Sequence, residues 1–210
     1  MKNDRIYEKV LKPAILVGLV MSSFFSGCDS FNAGTEFSSG RRAFMAKKYD
    51  DALPHFQKVA ETKPDYVFES LNFRQGVWSY LGRAQYLTGK TAEARASLER
   101  ALTANPEEPL ARIYLGLVLA RGGDEANAVH ELKRGLSGLQ SWLEYENGHN
   151  PSQTMWDPNR EIRKEIGNTL SAIDSKSLAP GTLIENGEWI GWAMEEEIDK
   201  VRRDKTRQTD

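Results

Sequence analysis

The chain has 210 residues, with 28 lysines and arginines against 30 aspartates and glutamates, and a single cysteine. That length holds one domain with appendages, or two very small ones. A net charge of −2 gives no electrostatic footprint for nucleic acid, and one cysteine excludes an intramolecular disulfide and any multi-thiolate metal site.

The N-terminus is basic at Lys2, Arg5, Lys9 and Lys12, and Pro13 to Phe25 then runs without a charge. Such a run matches the apolar core of a secretory signal and falls short of the roughly 20 residues that span a bilayer. Ser26, Gly27 and Cys28 follow. The segment resembles a bacterial lipobox, with Phe25 standing where that motif prefers leucine. The resemblance implies a lipoprotein signal peptide over 1–27, lipid attachment at Cys28 and a short linker over 28–34. It places the protein in the bacterial cell envelope, membrane-anchored and facing the periplasm. Asp29 resembles the signal that retains enteric lipoproteins in the inner membrane, which favours that membrane over the outer one. Loss of residues 1–27 removes four basic and two acidic residues and moves the net charge from −2 to −4. That charge argues against a polybasic grip on anionic lipid. Acyl chains would hold the protein, at about 0.8 kcal/mol per buried methylene.

An internal repeat follows. In residues 75–106, Trp78, Leu81 and Gly82 are succeeded by Ala94, Leu98, Ala101 and Pro106. A shift of 34 maps Leu81, Gly82, Ala94 and Leu98 onto Leu115, Gly116, Ala128 and Leu132, while Pro106 becomes Gln140. Backwards, Gly40, Ala52, Phe56 and Pro64 match at an interval of 42, so eight residues are inserted near 67–74. The small residues let two helices approach closely, and the large ones fill the space between neighbouring pairs. The pattern resembles the 34-residue tetratricopeptide repeat. The resemblance implies an all-α fold, a short solenoid of three helix-turn-helix repeats over 35–146. Helices are expected at 35–47 and 51–63, then 68–88 and 92–104, with the inserted residues lengthening the first helix of the second pair. The third pair should begin near Pro109, and its second helix should run from Asp124 to about residue 146.

Residues 147–204 form a C-terminal region. Asp157-Pro158 is a helix start, with the stripe Ile162, Ile166, Leu170 and Ile173 behind it. A last helix is expected from about Glu188, striped by Ile190, Met194, Ile198 and Val201. These two helices would cap the solenoid's exposed end, with Trp142, Trp156, Trp189 and Trp192 as packing residues. Glu195-Glu196-Glu197 reads as an exposed, ion-paired helix face, with Glu196 beside Lys200 and Asp199 beside Arg203, rather than as a metal site. Residues 205–210 read as a frayed tail. The tail also resembles those of other bacterial lipoproteins carrying such repeats.

No catalytic constellation stands out. His55, His130 and His149 are scattered, and HExxH, Gly-x-Ser-x-Gly and phosphate-binding glycine loops are absent from the sequence. The reading is therefore non-catalytic, without cofactor or metal. In tetratricopeptide arrays the first helix of each pair lines a concave groove. By that resemblance Phe37, Arg41 and Phe44, then Ser79, Arg83 and Tyr86, then Ile113, Leu117 and Arg121 would face a protein or extended peptide partner. Arginine beside aromatic residues suits an acidic or aromatic peptide. Phe37, Tyr80 and Leu110 stand where the polar residues of a dicarboxylate clamp would belong. The expected role is a lipid-anchored scaffold for protein–protein interaction in complex assembly. Its alternative is a membrane-complex subunit that docks through Trp189 and Trp192, or an enzyme or small-ligand binder whose site is unrecognised.

Overall fold

The computed structural model describes residues 29–149, 155–177 and 179–209. Cys28 and the expected signal segment lie outside the described residues. The elements in chain order are α1 (Asp29–Met45), α2 (Tyr49–Thr62), β1 (Val67–Ser70), β2 (Phe73–Gly76), α3 (Val77–Leu87), α4 (Thr91–Ala104), α5 (Pro109–Arg121), α6 (Glu125–His149), α7 (Glu161–Asp174) and α8 (Pro180–Thr209). Among the described residues no helix is long and apolar enough to cross a membrane.

The repeat spacing becomes contact geometry. A Cβ built on Gly40 would lie 2.9 Å from the Phe56 ring, one on Gly82 2.6 Å from Leu98 Cγ, and one on Gly116 2.5 Å from Leu132 Cγ. At the matched position of each repeat, then, the first helix lacks a side chain where the second helix presses a large apolar residue. Ala52, Ala94 and Ala128 are likewise buried. The pairs α1–α2, α3–α4 and α5–α6 result, and each pair stacks on the next. Pro109 sits in the first turn of α5, where its missing N–H costs no helical bond.

The insertion behaves differently from expectation. Residues 67–76 do not lengthen α3. They form an antiparallel hairpin, with Ser70 opposite Phe73 and Val67 opposite Gly76. Leu71 and Asn72 are both left-handed, at φ 48° and 71°. Those are the conformations a two-residue type I′ turn requires. Burial alternates along the strands, with Ser70, Phe73 and Gln75 inside and Glu69 and Arg74 outside. That is a period of two rather than 3.6.

Two C-terminal boundaries also move. α7 starts at Glu161 rather than at Pro158, because Arg160 is left-handed (φ 60°). Asp157 still caps the helix from outside, accepting from the backbone N–H of Ile162 at 3.1 Å and of Arg163 at 3.0 Å. α8 begins at Pro180, eight residues before the expected start. At the other end of the chain, α1 is helical from Asp29, through the stretch expected to be linker.

α7 packs on α6 and takes the capping position. α8 does not. It crosses back over α5 and lies along the concave side of the repeats. Its stripe of Ile190, Met194, Ile198 and Val201 is buried as expected, but against the groove rather than the end of the solenoid. Of the four tryptophans, Trp142 and Trp156 do pack, their ring centroids 4.9 Å apart and both against Phe73 of the hairpin. Trp189 is 44% exposed, and Trp192 is half-buried beneath the Lys47 ammonium at 4.5 Å.

Candidate functional site

The concave face is built by α1, α3 and α5, with Gln75 of β2 at its edge. Arg41 enters from α1, Tyr80 and Arg83 from α3, and Arg121 from α5. Facing them, α8 presents Glu188, Glu195 and Asp199, at spacings of seven and four that place all three on one side of a helix. The approach is close. A Cβ on Gly187 would stand 2.7 Å from Leu117 Cδ2, and one on Gly191 2.6 Å from Tyr114 Cε2. Only glycine at these two positions lets the α8 backbone sit on α5.

Glu195 is the centre of the contact. It is fully buried and receives Arg83 Nη1 at 2.7 Å, Arg41 Nη2 at 3.0 Å, the Tyr80 hydroxyl at 3.2 Å and Gln75 Nε2 at 3.1 Å. Arg41 spans to Asp199 as well, at 2.6 Å. Burial alone would raise the Glu195 pKa; Arg83 and Arg41 outweigh it and hold the carboxyl below its ordinary value. Burial raises the Tyr80 hydroxyl far above the usual phenol range, so it serves as a donor and not as a base. Arg83 uses only Nη1 in hydrogen bonds, to Glu195 and to Gln75 Oε1 at 2.6 Å. Its Nε and Nη2 have no hydrogen-bond partner. The guanidinium instead lies 5.0–5.2 Å from the ring centroids of Phe44, Tyr80 and Tyr114, within cation–π range. At the outer end, Glu188 accepts from Tyr86 Oη and from Arg121 Nη2, both at 2.6 Å, and Arg121 stacks on Tyr86 at 3.8 Å.

Each of the nine residues expected along the groove has a definite place. Arg41, Arg83, Tyr86, Leu117 and Arg121 do converge on the concave side, and the chain's own α8 occupies them. Phe37 and Phe44 are interior aromatics, packed on Phe56 and Tyr80 and 1% exposed. Ile113 turns towards Gly135 of α6, and Ser79 lies beside Glu108. Neither faces the groove. Tyr80 and Leu110, where clamp residues would belong, are fully buried.

With this geometry in view, the comparisons take their place. The tetratricopeptide-repeat family profile matches residues 81–136, from the middle of α3 to the middle of α6. Residues 81–136 are therefore a tetratricopeptide-repeat segment. A solved structure, the Yersinia enterocolitica type III secretion translocator chaperone SycD in an alternative dimer, aligns at 19% identity. The alignment covers 71% of this chain and 96% of that one, with a TM-score of 0.49. No curated protein matches the chain.

The expectation for the acidic triplet needs correction. Glu195 is the most enclosed carboxylate of the groove, not part of an exposed face. Glu197 is 8% exposed and accepts from the Asp157 N–H at 2.7 Å. Lys200 pairs with Glu197 rather than Glu196, and Asp199 pairs with Arg41 and Arg202 rather than Arg203. Sequence reasoning missed Glu188, Glu195 and Asp199 as the groove's ligands. A signal was present: the three acids share one face of a helix that also carries Gly187 and Gly191 four residues apart. Among the described residues there is no cluster of three histidine, cysteine or carboxylate side chains that could hold a metal.

Proposed function

We propose that the chain is a lipid-anchored, non-catalytic scaffold in the bacterial envelope that assembles protein complexes through surfaces outside its concave groove. The observation that supports this reading is the seating of α8. A repeat array built for protein contact already holds an acidic helix of its own, gripped by two buried arginines. A partner must then meet the outer surface. Membrane attachment is carried by the sequence around Cys28 and not by any described helix. Changing Cys28 to Ser should move the protein from the membrane fraction to the soluble fraction of its native cell. Retention in the membrane would remove the lipid anchor from the reading.

A second reading shares the fold and differs in the contact surface: a membrane-complex subunit docking through Trp189 and Trp192. The 44% exposure of Trp189 favours it. Trp189 and Trp192 line a cleft of ≈ 470 Å³ with Met45 and Glu196. Exposed tryptophan is over-represented among residues that dominate interfaces. Crosslinking in native membranes followed by mass spectrometry separates the two. Crosslinks confined to the α8 face would support the second reading, and loss of a partner only on Trp189→Ala would fix the contact there.

A further inference from the structure

We propose that the outer edge of β2 is a docking site for an extended peptide segment of a partner protein, which adds a third strand to the hairpin and carries a lysine or arginine towards Glu108. The inference rests on the reading of the chain as a protein-binding scaffold. It does not depend on the lipid anchor or on the Trp189–Trp192 face.

The backbone supplies the first half of the argument. The hairpin has a two-residue loop, so its closing pair, Ser70 with Phe73, exchanges hydrogen bonds, and the pairs then alternate. Glu69 with Arg74, and Val67 with Gly76, are the non-bonded pairs, and their N–H and C=O groups point away from the partner strand. Two contacts confirm the phase. Val77 N–H donates to the Tyr66 carbonyl at 2.9 Å, and Gly76 N–H turns outward to Glu108 Oε2 at 3.1 Å. Among the described residues the sheet has two strands, so the Arg74 N–H and C=O form an open edge. Such an edge is a template for a third strand.

The space beside that edge is already shaped. Between β2 and α6 lies a cleft of ≈ 660 Å³, with Phe73 and Arg74 on one wall and Ser137, Gly138 and Ser141 on the other. A second cleft of ≈ 350 Å³ continues past Gly76 between Tyr66, Val67, Trp78 and Ala101. Arg74 and Asn105 line both, so the two run together along β2. The small residues of α6 leave room for a backbone. A Cβ on Gly138 would meet nothing nearer than Pro109 Cγ at 4.0 Å. Val67, 42% exposed, offers an apolar contact at the far end.

Glu108 sets the chemistry of the occupant. It is 1% exposed, lines the second cleft, and its Oε1 has no hydrogen-bond partner. A buried acceptor left open calls for a donor. The charges around it agree. Arg74 is paired with Glu69 at 3.3 Å and Arg134 with Glu107 at 3.5 Å. Neither Asp65 nor Arg100 carries an ion pair among the described residues; of the charged groups that line this cleft, Asp65 and Glu108 face only Arg74. Arg100 lies over the Trp78 ring at 4.2 Å, so that ring already holds a cation and the incoming one is left to Glu108.

The test uses the full-length chain in detergent and a blocked six-residue peptide, Thr-Val-Lys-Val-Thr-Val. Hydrogen exchange at the Arg74 amide should slow at least about tenfold at saturating peptide, the fold-change that pairing of an open-edge N–H produces. Replacing the central valine of the peptide by proline should abolish the effect, and replacing its lysine by glutamate should weaken binding about tenfold. In the protein, Gly138→Phe fills the cleft from α6 and should weaken binding. Glu108→Gln should erase the preference for lysine over norleucine. Unchanged exchange at Arg74 with millimolar peptide overturns the proposal. Protection only at Trp189 and Trp192 also overturns it, while leaving the scaffold reading intact.

Discussion

Glu195 and Glu108 are both buried carboxylates, and their surroundings treat them in opposite ways. Glu195 lies in the groove between two guanidiniums, and Arg83 and Arg41 hold its pKa below the ordinary value against the pull of burial. Glu108 lies behind the hairpin, where burial pushes its carboxyl up to about 7 and the hydroxyl of Ser79 and the N–H of Gly76 offset that only in part. The difference teaches that burial alone does not decide a charge's role. Glu195 is ionised and locks a helix in place. Glu108 is pushed by burial towards its neutral form, and its Oε1 is left without a hydrogen-bond partner.

The comparison breaks most severely at Glu195. Glu195→Ala leaves Arg41 and Arg83 buried without their common partner. Removing one member of a buried ion pair costs about 3–5 kcal/mol. Denaturant unfolding should show that loss, and amide exchange in α8 should rise before exchange in α5. Adding Arg83→Met to that variant should recover part of the stability, because the orphaned charge is then removed. If the single variant is as stable as the parent, the groove is not held by this network.

Next in size is the pH dependence. The folded pKa of Glu108 is raised above its unfolded value, so its contribution is fully present below the unfolded pKa and is lost as pH rises through about 7. A shift from 4.5 to about 7 corresponds to roughly 3 kcal/mol, with stability falling across that window. Glu195 has the opposite sign. Its lowered pKa contributes stability above the unfolded carboxylate range and loses it on acidification. Glu108→Gln should flatten the neutral limb and leave the acid limb in place. A stability curve identical to the parent's between pH 5 and 7 would contradict the assignment to Glu108.

A smaller perturbation pushes on α8 itself. Gly191→Ala places a methyl 2.6 Å from Tyr114 Cε2, so either the ring or the helix must yield. Overpacking of this kind costs about 1–3 kcal/mol. Movement of α8 would lengthen the Glu195 contacts four residues on, so the acid limb should weaken while the neutral limb from Glu108 stays. A change in both limbs would mean that the two carboxylates are coupled.

Much of this was legible in the sequence. Gly40, Gly82 and Gly116 with their apolar mates fixed the three helix pairs, because close helix approach permits few residue types. The hairpin was missed because the eight inserted residues broke the repeat spacing, and Phe68, Leu71 and Phe73 also fit a helix. Only the left-handed Leu71-Asn72 pair reveals the turn. The arginines of the groove were found, but their ligand was not. Periodicity shows which face of α8 is apolar and says nothing of what that face covers. Glu195 looked like one of three solvated acids because adjacent residues point in different directions around a helix; Glu195 and Glu197 turn inward and only Glu196 stays exposed.

The finest test of the contrast lies in Ser79. Its hydroxyl is fully buried beside Glu108, makes no hydrogen bond, and as a nearby dipole holds that pKa down. Ser79→Ala removes this support without touching the groove network, and the alanine side chain is smaller than the serine it replaces. The folded pKa of Glu108 should then rise further above 7, shifting the neutral limb of the stability curve to higher pH. A neighbouring hydroxyl outside hydrogen-bond geometry is worth less than a full side-chain hydrogen bond of about 1 kcal/mol, which bounds the shift at under roughly one pH unit. Comparison of the parent, Ser79→Ala and Glu108→Gln curves between pH 5 and 8.5 isolates it. In the Glu108→Gln background the serine substitution should leave no pH-dependent trace, because the group it acts on no longer titrates. A shift that persists in that background would mean that Ser79 acts through another group.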